Sequence, residues 1–191
     1  MSRIVVTRLL TLSGTALLLH GLYLPLKAEI AQKLLRSTWS EALASAGEHP
    51  AKPWPWADTH AVARLATPYG DDIVLAGSHG EALAFGPGLD PRGAPPGQPG
   101  NVVLAGHRDT HFAQLEHLRL GDVVELETRS GRARFVVSAA YATTKFDTGP
   151  LAQSSARNEL TLITCYPFGR AAARGPLRWV VRAVEVETDL S

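Results

Sequence analysis

The chain is nearly devoid of cysteine, with Cys165 the only one. That excludes an intramolecular disulfide and leaves Cys165 as either a buried small hydrophobe or a reactive thiol. Neither sign of charge is in excess, at 19 basic residues against 18 acidic ones. A nucleic-acid-binding face is therefore not expected. The chain also lacks an internal repeat, a long low-complexity tract and a dense acidic cluster. Asp71-Asp72 is only a pair and fits a turn, so a calcium requirement has no support.

What is present favours strands and loops. Thirteen prolines and seventeen glycines in 191 residues suit a strand-based body better than a helical bundle. The length suits one domain with an appendage. The appendage is N-terminal. Leu9 to Leu26 contains no Asp, Glu, Lys or Arg, and Arg3, Arg8 and Lys27 flank it. Such a run is near the lower limit for a helix crossing about 30 Å of hydrocarbon. A cleaved secretory signal is the alternative, but Lys27-Ala28-Glu29-Ile30-Ala31 is a poor cleavage site. The run reads as an uncleaved signal anchor. Lys27, Lys33 and Arg36 offset Arg3 and Arg8, so flanking charge does not fix the orientation.

Residues 27–47 read as a continuing helix. Ile30, Leu34 and Leu35 recur at helical spacing, with Ala28, Ala31 and Trp39 nearby. Gly47, Pro50, Pro53 and Pro55 are expected to end it. The two indoles of Trp54-Pro55-Trp56 are expected to pack the start of the domain against its core, the alternative being a membrane interface.

From Ala57 onward the pattern is β. Strands are expected over Ala61–Ala66, Asp72–Ala76, Ala82–Phe85, Val102–Ala105, Val123–Glu127, Ala133–Ala142, Leu160–Cys165 and Leu177–Val186. A helix is expected over Phe112–Leu120, with Leu115 and Leu118 on its inner face and Gly121 ending it. The Gly- and Pro-rich stretch from Gly86 to Gly100 reads as an irregular connection.

The chemistry converges on strand ends. In Thr161-Leu162-Ile163-Thr164-Cys165 the cysteine shares a face with Thr161 and Ile163, while Leu160, Leu162 and Thr164 take the other. The thiolate is the nucleophilic form of a cysteine. A histidine can pair with it and then protonate a leaving amine. Acyl transfer also needs a donor for the tetrahedral oxyanion. His107 lies just past the apolar run Val102-Val103-Leu104-Ala105, where Gly106 is expected to let the backbone turn. His111 and His117 are runners-up. Arg178 opens the last strand and shares a face with Val180, pointing toward the interior or a cleft. An arginine so placed needs an anion or several acceptors. A salt bridge to a loop carboxylate is its plainer role, and Arg170 and Arg174 compete with it. Thr164 faces away from Cys165, for a structural or substrate-lining role. Arg108, Asp109 and Thr110 orient His107 or line the groove, although helix capping is the simpler role for Asp109 or Thr110.

Thr161-Leu162-Ile163-Thr164-Cys165 resembles the active-site motif of the sortases, cysteine transpeptidases of bacterial surfaces. Leu104-Ala105-Gly106-His107 resembles that family's histidine motif. Arg178, thirteen residues past the cysteine, matches a spacing found in the family. Pro53-Trp54-Pro55-Trp56-Ala57-Asp58-Thr59, Gly106-His107-Arg108-Asp109-Thr110-His111-Phe112, Cys165-Tyr166-Pro167-Phe168 and Gly175-Pro176-Leu177-Arg178 resemble the proteobacterial type. The likeness covers roughly residues 50–186.

The resemblance implies a closed eight-stranded β-barrel with one or two short helices, preceded by an N-terminal transmembrane helix. The expected division is an anchor at 1–26, a helical juxtamembrane segment and Pro/Trp linker at 27–56, a catalytic barrel at 57–187 and a tail at 188–191. The implied enzyme cleaves an LPxTG-like C-terminal sorting signal through a Cys165 thioacyl intermediate and passes it to an amine acceptor. His107 serves as acid and base, and Arg178 holds substrate or oxyanion. Thr164, Arg108 and Asp109 are the expected substrate-binding residues. No cofactor or metal is expected. The expected partners are secreted proteins bearing the signal, and the expected location is the inner membrane with the catalytic domain on its periplasmic side. An ordinary thiol and an ordinary imidazole at pH 7 are about 3% thiolate and about 24% imidazolium, so under about 1% would carry both charges. A neighbouring arginine favours a thiolate.

Three other readings fit less well. L,D-transpeptidases need a Ser-His-Gly-x-x-x-Cys cluster that is absent. In papain-like folds the cysteine opens a helix and precedes its histidine. His107 and His111 have zinc-helix spacing but lack the Glu that follows the first His in metalloproteases. A membrane-tethered peptide-binding module without catalysis and a cysteine peptidase that only hydrolyses remain as alternatives.

Overall fold

Runs of Val, Leu, Ile and Ala alternating with polar residues form eight strands. They are β1 (Ala61–Thr67), β2 (Gly70–Leu75), β3 (Gly88–Leu89), β4 (Asn101–Ala105), β5 (Val123–Thr128), β6 (Gly131–Thr144), β7 (Glu159–Cys165) and β8 (Leu177–Val186). One long helix, α1 (Arg3–Ala44), precedes them. The computed structural model describes residues 3–44, 52–80, 82–153, 157–169 and 175–186, with side chains given at only some positions before residue 29. Gly47, Pro50, Arg170, Arg174 and the expected tail at 188–191 lie outside the described residues.

The strands close into a barrel in the order β1-β2-β3-β4-β7-β8-β6-β5, with β5 returning to β1. Neighbours are antiparallel except β2 with β3 and β4 with β7, which run parallel. Leu65, Val74, Leu104, Leu126, Leu160, Leu162 and Val181 fill the interior. β6 is the longest strand because it pairs with β5 over its first half and with β8 over nearly all its length. A register shift between Val137 and Ala139 lets it turn the corner.

Several expectations need correction. Ala82–Phe85 is not a strand: Ala82–Ala84 forms a 3₁₀ turn. Ala82 is buried in the cluster beneath α1, where an apolar side chain can be satisfied without pairing its backbone. The missing strand is β3, inside the stretch read as irregular. Gly88 permits it, since a Cβ there would lie 2.2 Å from the Gly77 carbonyl oxygen. The helix expected over Phe112–Leu120 is a 3₁₀ segment, His111–Glu116, broken by non-helical angles at Phe112. Phe112, Leu115 and Leu118 are nonetheless all buried, so this segment plugs the barrel.

α1 is continuous through residues 26 and 27. Among the described residues no helix is long and apolar enough to cross a membrane, so the expected spanning helix is not found there. The second half of α1 docks on the barrel. Ala31, Leu35 and Trp39 are buried, each four residues from the next, and Leu35 and Trp39 pack on Ile73 and Leu75. Ile30 and Leu34, which share the helical spacing of Leu35, point outward and are 51% and 45% exposed. Gln32 lies between Ala31 and Leu35 and is also buried. Its carboxamide accepts from the Ile73 N–H at 2.9 Å and donates to the carbonyls of Ile73 and Phe85 at 3.3 and 2.8 Å. The side chain thus behaves as a surrogate strand partner for β2. The two indoles differ. Trp54 packs edge-on against Phe85 with centroids 4.9 Å apart, whereas Trp56 is 81% exposed.

Candidate active site

Strand register brings the three candidate residues together. β4 and β7 run in parallel, with Ala105 opposite Ile163. The Gly106 N–H continues the ladder by donating to the Ile163 carbonyl at 3.1 Å. Two residues beyond the Ala105–Ile163 pair on each strand come His107 and Cys165, at the same end of neighbouring strands. β8 lies on the other side of β7, and Cys165 is directly opposite Arg178. Opposed residues of antiparallel strands have Cβ atoms about 4.5–5.5 Å apart. His107 is exposed, and Cys165 and Arg178 are half-buried.

Alternation decides where the groove lies. Leu160 and Leu162 belong to the interior cluster, so Cys165 is on the outer wall at the rim. Arg178 follows its cross-strand partner away from the interior cluster. Its Nη1 donates to the Leu177 carbonyl at 2.8 Å and to the Gly175 carbonyl at 3.3 Å. Among the described residues no carboxylate forms a salt bridge with it.

The three residues expected to bind substrate are placed differently from one another. Thr164 is 2% exposed, and its hydroxyl donates to the Gly106 carbonyl at 2.8 Å. It braces the site from inside and has no surface to offer a substrate. Arg108 is 7% exposed, and its Nη1 donates to the Pro167 carbonyl at 2.6 Å. It too belongs to the frame. Its sequence neighbourhood suggested a groove residue because nothing in the sequence indicates that the Pro167 carbonyl comes within reach. Asp109 is exposed, 3.6 Å from Arg108 Nε, and is the one of the three with a solvent-facing side chain. Thr110 occupies the cap position of the 3₁₀ segment without a side-chain cap bond.

Gly106 serves packing rather than an unusual turn. A Cβ there would lie 2.7–3.1 Å from three carbons of the Phe112 ring. The buried Phe112 N–H in turn donates to the His107 carbonyl at 3.1 Å. The ring therefore supports the His107 backbone from below, and only glycine leaves room for it.

The runner-up histidines lie elsewhere. His111 Nδ1 is 2.8 Å from Asp72 Oδ1, and the ring is nearly buried. His117 packs on Tyr69, with ring centroids 5.6 Å apart. His107 precedes the 3₁₀ segment, so His107 and His111 do not share a helical face. Among the described residues no three His, Cys, Asp or Glu side chains are grouped as a metal ion would require.

An aromatic trio beside the cysteine has no counterpart in the sequence-based expectations. Tyr166 stacks on Trp179 at 5.4 Å, and Phe168 meets both rings edge-on at 6.0 Å. Trp179 pairs with Thr164, so the trio closes the barrel behind Cys165. Its signal in the sequence is Tyr-Pro-Phe directly after the cysteine and a Trp directly after Arg178.

Comparisons with known proteins bear on the family and the fold. The sortase domain model matches residues 68–186. Sortase D of Bacillus subtilis (strain 168) is 30% identical over 108 residues, covering 56% of this chain and 54% of that protein. The chain thus spans about half the length of this curated relative. A Clostridium perfringens sortase D5 transpeptidase superposes with a TM-score of 0.66 at 22% identity, covering 83% of this chain and 99% of that one. Sortase A from Corynebacterium diphtheriae gives 0.64 at 21% identity, covering 87% of each. At those identities the two solved structures speak for the fold.

Proposed function

The chain belongs to the sortase family, and on that premise we propose that it is a membrane-tethered cysteine transpeptidase acting on an LPxTG-like C-terminal sorting signal. The observation that carries the reading is the register. Cys165 lies opposite Arg178, and His107 ends the parallel strand on the other side. Cys165 Sγ, as thiolate, attacks the scissile carbonyl carbon, and the carbonyl electrons move onto oxygen. The Arg178 guanidinium stabilises that oxyanion. Collapse of the tetrahedral species breaks the C–N bond, and His107 gives its proton to the departing amine. The thioester so formed is attacked by an acceptor amine. His107 takes the proton of that amine, and the second collapse returns the Cys165 thiolate.

Membrane tethering is supported by the charge-free run Leu9–Leu26. It is supported also by the exposed Ile30, Leu34 and Trp56 on and beside the same helix, because tryptophan favours the membrane interface. Action on secreted proteins requires the catalytic domain to face the periplasm. Extraction of cell membranes with alkaline carbonate should leave the protein in the pellet. Its release into the supernatant would remove this part of the reading.

The decisive experiment is intact-mass spectrometry of the full chain in detergent, mixed with a panel of LPxTG-like peptides, with and without hydroxylamine. A thioacyl adduct is expected that is absent in Cys165→Ala, with conversion to a hydroxamate when hydroxylamine is added. If no peptide reacts while Cys165 is still alkylated rapidly at neutral pH, the substrate class is wrong. If the thiol is inert as well, a peptide-binding module is the better account.

A further inference from the structure

The Gly106 and Thr164 ends of the site are 58 residues apart in the chain, so something must hold the His107 and Cys165 segments in register. Two bonds do so on the near side of both residues. The Gly106 N–H donates to the Ile163 carbonyl at 3.1 Å, and Thr164 Oγ1 donates to the Gly106 carbonyl at 2.8 Å. On the far side Arg108, the residue after His107, reaches across to Pro167, two residues after Cys165. Its Nη1 donates to the Pro167 carbonyl at 2.6 Å. The covalent chain and these side-chain bonds close a ring that contains both reacting residues.

The burial of Arg108 argues that this bond has a purpose. A guanidinium only 7% exposed is costly unless its donors find acceptors. Its planar fork directs Nη1 at Pro167 and Nε toward the Asp109 carboxylate, 3.6 Å away. A lysine has one rotatable ammonium and cannot hold both directions with the same geometry. The turn that receives the bond is anchored from its other side, where the Tyr166 N–H donates to the Leu177 carbonyl at 3.1 Å and Tyr166 stacks on Trp179. Arg108 therefore ties the His107 loop to a fixed wall.

We propose that Arg108 is a positioning residue for acyl transfer, fixing the separation of His107 and Cys165 through the Pro167 carbonyl. This rests on the cysteine–histidine mechanism proposed above. Misplacement of a reacting pair by about 1 Å can cost on the order of 10²-fold in rate. The loss should appear in kcat and not in KM, because Arg108 is not on the groove surface.

The test uses the full chain in detergent with a reactive LPxTG-like peptide, comparing wild type, Arg108→Met and Arg108→Lys. The concentration of folded enzyme is set by the cooperative unfolding signal of each preparation. Arg108→Met is expected to lower kcat for thioacyl formation about 10²-fold with KM within about threefold, and Arg108→Lys to recover about tenfold of that loss. A folded Arg108→Met enzyme with kcat within threefold of wild type overturns the proposal, as does a loss confined to KM. If Arg108→Met does not fold, Arg108→Lys decides. A folded Lys variant with kcat reduced about tenfold supports the role, and one with wild-type kcat and KM overturns it. If wild type itself forms no adduct with any peptide, the proposed function fails, at its substrate class or at its chemistry, and this proposal falls with it. If wild type reacts and the variants equal it, only the Arg108 role is lost.

Discussion

A protein beginning at residue 48 is expected to lose most of its stability, although it would contain every strand and every reacting residue. The reason is that α1 is part of the barrel's packing. Leu35 is fully buried and Trp39 is 3% exposed, both against Ile73 and Leu75 of β2. Truncating a buried Leu to Ala costs about 2–5 kcal/mol, and a buried Trp about 3–5 kcal/mol. Removing both together with Gln32 approaches the whole stability of an ordinary domain, about 5–15 kcal/mol. Loss of Gln32 also strips partners from the Ile73 N–H and carbonyl and from the Phe85 carbonyl. Urea unfolding followed by circular dichroism should show a cooperative transition for residues 29–191. For residues 48–191 the midpoint should fall by about 2 M or more, or the transition should vanish. Equal midpoints would mean that the helix rests on the barrel without supporting it. The same contact carries a pH signature. Burial pushes the Glu127 carboxyl up, but hydrogen bonds from Arg132 and Trp39, with the charges of Arg132 and Arg64, hold it below its ordinary value. A depressed carboxylate contributes stability above its unfolded pKa and loses it as pH falls through the folded one. Stability of the fold should therefore decline on acidification below the ordinary glutamate range.

The second large effect is expected at the rim. His107→Ala should slow thioacyl formation by about 10²–10⁴-fold, the usual worth of a positioned acid–base group. Arg178→Ala should slow it by about 10²–10³-fold, the cost of losing a principal oxyanion donor. Neither change should disturb the fold, because His107 is exposed and Arg178 half-buried on the outer wall. Arg178→Lys keeps the charge but loses the planar fork and should fall between Ala and wild type. Single-turnover adduct formation followed by mass spectrometry, with thermal melting of each variant, separates rate from stability. Either alanine variant reacting within about threefold of wild type at an unchanged melting temperature would remove that residue from the mechanism.

Much of this arrangement was legible because strands have a short, strict period. Leu177–Val186 is a strand with the bounds read from its alternation, and β7 differs from its expected start by one residue. Cys165, His107 and Arg178 stood out because each sits where an apolar run begins or ends. What failed depends on distance along the chain. β3 is two residues long and owes its place to the close approach of Gly88 to Gly77, which no local pattern records. Ala82–Phe85 looked like a strand because four apolar-rich residues fit either state, and packing beneath α1 decided against it. The roles of Thr164 and Arg108 depend on which backbone carbonyls lie opposite them. Those carbonyls belong to segments whose mutual register the sequence does not encode locally. For α1 the helical period was evident, but the spacing of Ile30, Leu34 and Leu35 did not reveal that Ala31, Leu35 and Trp39 form the buried face.

The parallel pairing of β4 with β7 also bears on when the molecule becomes reactive. His107 and Gly106 are synthesised long before Thr164 and Cys165, and Arg178 follows later still. β4 has no partner on its β7 side until that strand exists, and β7 is unpaired on its other side until β8 follows. A ribosome-bound chain stopped before β8 holds His107 alone or His107 with Cys165, never the assembled trio. The order of strands thus delays the juxtaposition of His107, Cys165 and Arg178 until the last strand of the barrel has been made.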